Sequence, residues 1–486
     1  MYIKSFRYIK SLLLANIGFR QTIFKNTFWL AVAEAITRLL KLILIIYVAR
    51  ILGVTGYGKF TFALSFVTLF VVFSDFGLHT ITTRELSGAR EEEFASLFSL
   101  KILLSLGTLI LILIGSFFIT PEPLIQRLIW ILAIFVLSYS FCEILYALLR
   151  ARQKMEYEAW AKMLQAGLLT VIGFFVILKF PSVENLSYAY LFAGVISLVL
   201  ILSFFHFRIF PLKFSWQTSV WKKFLLMSWP LGLIGIFGSL NQNFTSVILG
   251  YFGKLTQAGW YNAAWKIANV CLVLNILVSQ SFFPGLSIAF KQSKEKFQKV
   301  WNFYVETVIF LAIPIVVGGI TLSPRIINFI YTPEFVPSIL ALQILIVMVG
   351  LSFISSSFFN VLVVANQQKR ALRLTAIVVA INIILNLILI PRIDFYGGAI
   401  AILIASAIFL PLLFRLILKF TFISPLNKRV LSSIIGAGLS SVLMYFIISR
   451  PQIYALNIFL SILIGAGVYL VFFFAYKRLI NRHWLY

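Results

Sequence analysis

Hydrophobic residues make up 61% of the 486 residues and charged residues only 12%, which excludes an ordinary soluble domain and indicates a polytopic membrane protein. The net charge of +26 is spread over the loops between apolar segments, so it favours anionic lipid headgroups over a nucleic-acid partner. Cys142 and Cys271 both fall inside apolar runs, and the sequence predicts no disulfide, no metal site and no cofactor.

The first 25 residues mix aromatic and aliphatic side chains with lysine and arginine. They predict a basic cytoplasmic segment at the membrane interface rather than a cleaved signal peptide. Apolar runs of about 17–25 residues then predict fourteen membrane-spanning helices. Their centres lie near Ile36, Phe70, Thr108, Val136, Val171, Ser197, Leu240, Val273, Leu311, Val349, Ile383, Ile408, Val442 and Phe472.

The distribution of basic residues predicts the orientation of these helices. Of the 41 lysines and arginines, 27 fall in one set of loops and tails, eight in the opposite loops and six within spans. Because basic loops are retained in the cytoplasm, we expect both termini there, in a protein of the cytoplasmic membrane.

A stripe of charge crosses the first apolar segment, residues 27–49. Glu34, Arg38 and Lys41 are spaced by four and three residues, so they share one face of a helix. Each central charge costs about 2.5–3.5 kcal/mol in a bilayer, so this face should meet protein or water. Two plainer interpretations remain: Glu34 and Arg38 neutralise each other and only aid packing, and Lys41 extends to the interface.

An internal repeat relates two regions about two hundred residues apart. Ile51-Leu52-Gly53, followed by Gly58-Lys59-Phe60, resembles Ile248-Leu249-Gly250, followed by Gly259-Trp260-Tyr261. Spans 1–2 would then correspond to spans 7–8. We predict an N-lobe of six spans over residues 26–210, a C-lobe of six spans over 211–422, and spans 13–14 with a cytoplasmic tail over 423–486.

The repeat brings in a second polar stripe on span 8. Asn262, Lys266 and Asn269 have the same spacing of four and three. If the stripes face one cleft, they form a cationic site suited to a diphosphate, with Arg38 as a planar fork and the asparagines near sugar hydroxyls. The alternatives are an interfacial Lys266 and asparagines that bond neighbouring helices.

Three segments resemble the polysaccharide and O-antigen flippases of the multidrug/oligosaccharidyl-lipid/polysaccharide exporter superfamily. They are Ala49-Arg50-Ile51-Leu52-Gly53 with Tyr57-Gly58, Ser74-Asp75-Phe76-Gly77-Leu78 with Thr83-Arg84-Glu85, and the run from Asn382 through Asn386 and Pro391 to Gly397-Gly398-Ala399. The resemblance implies alternating-access transport of a polyprenyl-diphosphate-linked oligosaccharide to the outer leaflet for surface polysaccharide synthesis. It also implies coupling to a proton or sodium gradient, for which Glu34 is the first candidate carboxylate. We expect a monomer.

Two other functions remain open. A multidrug cation antiporter would share the fold, but its cavity should be rich in carboxylates rather than cations. A membrane glycosyltransferase or polymerase would need a longer outer loop than residues 251–260 or 323–338 provide. The sequence has no P-loop, HExxH or GxSxG pattern, so we predict a transporter rather than an enzyme.

Overall fold

The computed structural model describes residues 18–86, 91–209, 213–421 and 423–483, and these residues form helices joined by short connections. Twelve of the described helical segments are long and apolar enough to cross a membrane. The protein is therefore an all-α, multi-pass membrane protein, as the composition predicts.

The chain divides into two compact units, one ending at Thr256 and the other running from Gln257 to Tyr486. The first unit consists of seven helices of different lengths. They are α1 (Phe19–Asp75), α2 (Leu78–Glu85), α3 (Glu91–Ile119), α4 (Pro123–Ala151), α5 (Met155–Lys179), α6 (Val183–Phe204), which continues as a π-helical turn (Phe205–Ile209), and α7 (Thr218–Tyr251).

The second unit holds the remaining helices. They are α8 (Leu255–Gln292), whose first two residues belong to the first unit, α9 (Lys294–Ile330), a 3₁₀ turn (Pro333–Phe335), α10 (Ser338–Val364), α11 (Gln368–Phe420), α12 (Lys428–Ile448), α13 (Pro451–Tyr454) and α14 (Ile458–His483).

Two helices are too long for a single crossing and are interrupted. Helix α1 has 57 residues, about 85 Å at 1.5 Å per residue, against a hydrocarbon core of about 30 Å. Its backbone leaves the helical region at Gly53, and that of α11, with 53 residues, does so at Ile393 and Asp394. Dividing these two helices gives about fourteen crossings, in agreement with the apolar runs.

Left-handed glycines mark both copies of the sequence repeat. Gly53 has φ 67° after Ile51-Leu52, and Gly253 has φ 69° a few residues after Ile248-Leu249. Glycine adopts positive φ without the steric clash that a Cβ would cause. Each repeat segment therefore has one positive-φ glycine between its two spans, although the two glycines occupy different positions in the repeat, since Gly53 aligns with Gly250.

The unit boundary and the predicted lobe boundary differ. Helix α7, predicted as the first span of the C-lobe, packs with α1, α2 and α3 in the first unit. The predicted basic interfacial segment, residues 1–25, lies outside the described residues up to residue 17. Its last residues belong to α1, where Lys25 is buried and its Nζ lies 2.8 Å from the Glu156 carboxylate.

Ion pairs within each unit tie helix ends together. In the first unit, Arg150 lies 2.8 Å from the fully buried Glu158 and 3.0 Å from Glu143. In the second, Glu306 on α9 contacts Arg429 on α12 and Lys477 on α14. The Glu306 side chain is only 10% exposed.

Candidate functional site

The first charged stripe is present on α1. Glu34 and Arg38 form an ion pair with 2.5 Å between Arg38 Nε and Glu34 Oε1, and both side chains are about half exposed. Lys41 is also exposed, and its Nζ lies 5.0 Å from the centre of the Tyr139 ring on α4. The side chains of the stripe are therefore accessible, and Lys41 packs over one aromatic ring of α4.

Two buried hydroxyls beside this stripe have no hydrogen-bond partner in the part of the chain that the structure describes. They are Thr37 Oγ1, one turn before Lys41, and Tyr139 Oη, under Lys41. Buried polar atoms are almost always satisfied by protein, water or a bound molecule. This part of the first unit therefore offers hydrogen-bonding capacity that the described protein atoms do not use.

The second stripe lies on α8, and only some of its side chains make hydrogen bonds to other described residues. Asn262 is buried, and its amide donates to the Ala258 carbonyl at 2.8 Å. Lys266 and Asn269 are half-buried, and neither side chain has a hydrogen bond or ion pair within the described part of the chain. These two side chains remain available to a ligand.

Aromatic residues near Lys266 support the helix rather than present a platform for sugars. Tyr261 and Trp265 are buried and stack on each other with their ring centres 6.2 Å apart. Trp260 Nε1 donates to the Glu334 carbonyl at 2.7 Å. These contacts fix the first turns of α8 against the 3₁₀ turn, and thereby fix the position of the stripe.

A charged cluster in the first unit was not among the predicted site residues. Asp75, at the end of α1, contacts His79 on α2 and Lys101 on α3. Asp75 belongs to one of the segments that resemble the flippase family, and Lys101 is one of the six basic residues that fall within predicted spans. The missed signal was Lys101 itself, a lysine in the middle of an apolar run.

Comparison with known proteins identifies the family. Residues 23–290 match the family described as "Polysaccharide biosynthesis protein". The matched segment covers more than half of the chain and contains both stripes. The chain belongs to this polysaccharide biosynthesis protein family. The family predicted from the motifs is thereby confirmed.

Sequence relatives of this family member include bacterial and archaeal proteins. The capsular polysaccharide biosynthesis protein CapF of Staphylococcus aureus is 22% identical over 391 residues, which cover 79% of this chain and 96% of CapF. The probable flippase AglR of Haloferax volcanii is 27% identical over 229 residues, 46% of this chain and 48% of AglR. The match to AglR spans about half of either protein.

Solved structures with the same fold include two kinds of transporter. The lipid II flippase MurJ in an inward closed conformation superposes with a TM-score of 0.77 at 18% identity, over 94% of this chain and 99% of MurJ. An inward-facing multidrug resistance MATE transporter superposes with a TM-score of 0.63 at 18% identity, over 79% of this chain and 95% of that one. The chain thus shares its fold with a lipid II flippase and with a multidrug resistance transporter.

Proposed function

We propose that this protein is a flippase that moves a polyprenyl-diphosphate-linked oligosaccharide from the inner to the outer leaflet of the cytoplasmic membrane by alternating access. The family assignment supports a role in polysaccharide biosynthesis. The observation that carries the choice of cargo is the surplus of basic side chains on the two stripes. They hold Arg38, Lys41 and Lys266 but only one carboxylate, Glu34.

The headgroup chemistry fits these side chains. A diphosphate presents several anionic oxygens, and Arg38 offers a planar guanidinium fork for them. Glu34 holds that guanidinium in place before the substrate arrives, since the two side chains are already in contact. Lys41 adds a second charge on the same helix face.

On α8, Lys266 and Asn269 supply groups that have no hydrogen-bond or ion-pair partner among the described residues. An unneutralised lysine in an apolar span is unfavourable, so an anionic ligand that pairs with it gains more free energy than it would at a water-exposed site. We assign Lys266 to the phosphates and Asn262 and Asn269 to sugar or phosphate oxygens. Glu34 remains the carboxylate proposed from sequence for ion coupling.

A multidrug cation antiporter remains the alternative with the same fold. A cationic drug would meet repulsion from these basic side chains, whereas an anionic lipid headgroup meets attraction. The sign of the charges therefore favours the flippase.

The test is translocation of a fluorescent polyprenyl-diphosphate oligosaccharide in proteoliposomes that contain the purified full chain. Two variants probe the two units separately: Arg38→Ala/Lys41→Ala on α1 and Lys266→Ala on α8. A charged hydrogen bond to phosphate contributes about 1.5–3 kcal/mol, so each variant should slow flipping by about tenfold or more at substrate concentrations below saturation.

A matched control removes three positive charges elsewhere. Lys179, Lys291 and Arg392 are exposed and lie near helix ends or the α11 interruption. The Lys179→Ala/Lys291→Ala/Arg392→Ala variant should flip at nearly the wild-type rate. Equal loss in this control would mean that net charge, rather than the stripes, governs transport. Absence of flipping by folded wild-type protein, with export of cationic drugs instead, would refute the proposed function.

A further inference from the structure

A cavity of about 370 Å³ lies in the second unit, where α9 and α12 approach their ends and α10 begins. Its size falls within the range of about 300–1,000 Å³ that is usual for small-molecule sites. The distribution of basic residues predicts that this end of the unit faces the outside. No residue of the stripe on α8 lines the cavity, which we call the tyrosine pocket. Its polar lining side chains are Thr321, Gln343, Tyr445, Ser449 and Tyr454.

The short helix α13, which supplies Tyr454 to the pocket, is held in place by Arg325 of α9. The Arg325 guanidinium lies over the Tyr454 ring, 4.9 Å from the ring centre. One of its terminal nitrogens donates to Ser461 Oγ on α14 at 2.8 Å, and the other donates to the Leu456 carbonyl. Ser461 in turn donates to the Ile453 carbonyl of α13 at 2.8 Å. Arg325 therefore positions a wall of the pocket, and both of its terminal nitrogens are engaged.

A proline in α9 explains the orientation of the pocket's amide group. Proline has no N–H, so Pro324 leaves the Ile320 carbonyl, four residues earlier, without its helical donor. Gln343 Nε2 on α10 donates to this carbonyl at 3.3 Å. Gln343 makes no other side-chain hydrogen bond within the described part of the chain. Its amide is thus oriented, and its Oε1 acceptor and second N–H donor are available to a ligand.

The other polar groups of the tyrosine pocket are neutral and accessible. Among the described residues, the hydroxyls of Tyr445, Ser449 and Tyr454 have no hydrogen-bond partner. Tyr445 is 44% exposed and Tyr454 is 37% exposed, so a ligand can reach both rings. No lining residue is charged. Neither an anionic headgroup nor a cationic drug would therefore find an opposite charge among the lining side chains.

A sugar matches this combination of groups. Sugar hydroxyls both donate and accept hydrogen bonds, as the amide and the hydroxyls of the pocket do. The C–H faces of a sugar ring are apolar and can pack on the tyrosine rings, which are large apolar surfaces with a polar tip. A lipid chain in the same place would cover the amide and hydroxyl groups without replacing their hydrogen bonds to water, which is unfavourable.

We propose that the tyrosine pocket binds a sugar unit of the glycan after the glycan has reached the outer side of the membrane. This proposal rests on the proposed function and adds a glycan site to the headgroup site on the stripes. A site that is reachable only from outside binds the glycan only after it has crossed, so it shifts the equilibrium toward the delivered state. Neutral hydrogen bonds and stacking are individually weak, which permits the glycan to leave.

The experiment is saturation-transfer NMR on the full chain in lipid nanodiscs that contain no sugar-based detergent. The probe is the free oligosaccharide, cut from the polyprenyl-diphosphate lipid that the wild-type protein flips. We expect wild type to saturate the sugar ring protons, and Tyr445→Ala/Tyr454→Ala to bind the oligosaccharide about tenfold more weakly, because two stacking surfaces and two hydroxyls are lost. Tyr445→Phe/Tyr454→Phe keeps both rings and should retain most of the binding.

Tyr188→Ala is the matched control. Tyr188 is 40% exposed and lies in the first turns of α6, at an end that is also predicted to face the outside, but it belongs to the first unit. This variant should bind the oligosaccharide as wild type does.

Two results would overturn the tyrosine pocket and leave the flippase intact. They are equal binding of the oligosaccharide by wild type and Tyr445→Ala/Tyr454→Ala, and absence of binding by a wild-type protein that flips the parent lipid. Absence of flipping by folded wild-type protein refutes the proposed function, and the assignment of the pocket with it.

Discussion

Replacement of Gly77 by alanine tests how closely α7 packs against the connection between α1 and α2. Gly77 has φ +81°, a conformation that costs an alanine about 1–2 kcal/mol. Its new Cβ would lie 2.8 Å from Leu231 Cβ and 2.9 Å from the Ser228 carbonyl oxygen on α7. Because backbone atoms cannot move aside cheaply, overpacking adds about 1–3 kcal/mol. We expect a total destabilisation of about 2–5 kcal/mol.

The assay is thermal unfolding of the detergent-solubilised protein, followed with a thiol-reactive dye. Cys142 is buried on α4 in the core that also contains Leu78 of α2, so in a Cys271→Ser background the dye reports unfolding of the first unit. The expected loss corresponds to a lowering of Tm by roughly 5–15 °C for a unit of this size.

Gly107→Ala is the control for this substitution. Gly107 lies inside helix α3, and a Cβ there would meet no atom within 4 Å. Alanine favours helix over glycine by up to about 1 kcal/mol, so this variant should match or slightly exceed wild-type stability. If Gly77→Ala unfolds at the wild-type temperature, or if both variants lose stability equally, the strain and contacts attributed to Gly77 are wrong.

Four further substitutions, at three positions, address the ion pairs and the stripes. Glu306→Gln leaves Lys477 without the carboxylate that lies 3.0 Å away, which should lower the stability of the contact between α9 and α14 by about 3 kcal/mol. Limited proteolysis should then cut this variant before α14 sooner than it cuts the wild-type protein. Unchanged protection would contradict this. Lys266→Ala should weaken equilibrium binding of a polyprenyl-diphosphate lipid about 10- to 100-fold, whereas Lys266→Arg should retain most of it. Arg38→Lys keeps a charge beside Glu34 but loses the planar fork, and we expect about tenfold weaker binding in the same assay.

The crossings were predictable from sequence because hydrophobic length alone determines them. The apolar runs do not predict the backbone conformation of the residues that connect one span to the next. Asp394 has φ 53°, and the sequence around it gives no signal that a residue with positive φ is needed there. Gly53 and Gly253 lie within or just after the Ile-Leu-Gly runs of the repeat, and glycine is the residue that favours positive φ, so both positions were within reach of sequence reasoning.

Contacts between residues close in sequence were predictable, whereas contacts between residues far apart in sequence were not. The pairing of Glu34 with Arg38 was foreseen, because a spacing of four residues on one helix determines the approach of their side chains. The pairing of Lys101 with Asp75 depends on which turns of α3 and α1 lie side by side. Helix register is set by packing of many apolar side chains, and single-sequence periodicity does not contain it.

The two units differ in whether their embedded basic side chains are paired with carboxylates, and this difference bears on function. In the first unit, Arg38 and Lys101 each face a carboxylate, so their charge is largely balanced before any ligand binds. In the second unit, Lys266 has no such partner among the described residues, although a charge at that depth costs about 2.5–3.5 kcal/mol. In either case the empty protein should gain stability when Lys266 is replaced by leucine or methionine. Only a lysine that binds the anion should also lose the stabilisation that an added diphosphate lipid gives the wild-type protein, and this is the behaviour expected of a site that must bind its lipid and then release it.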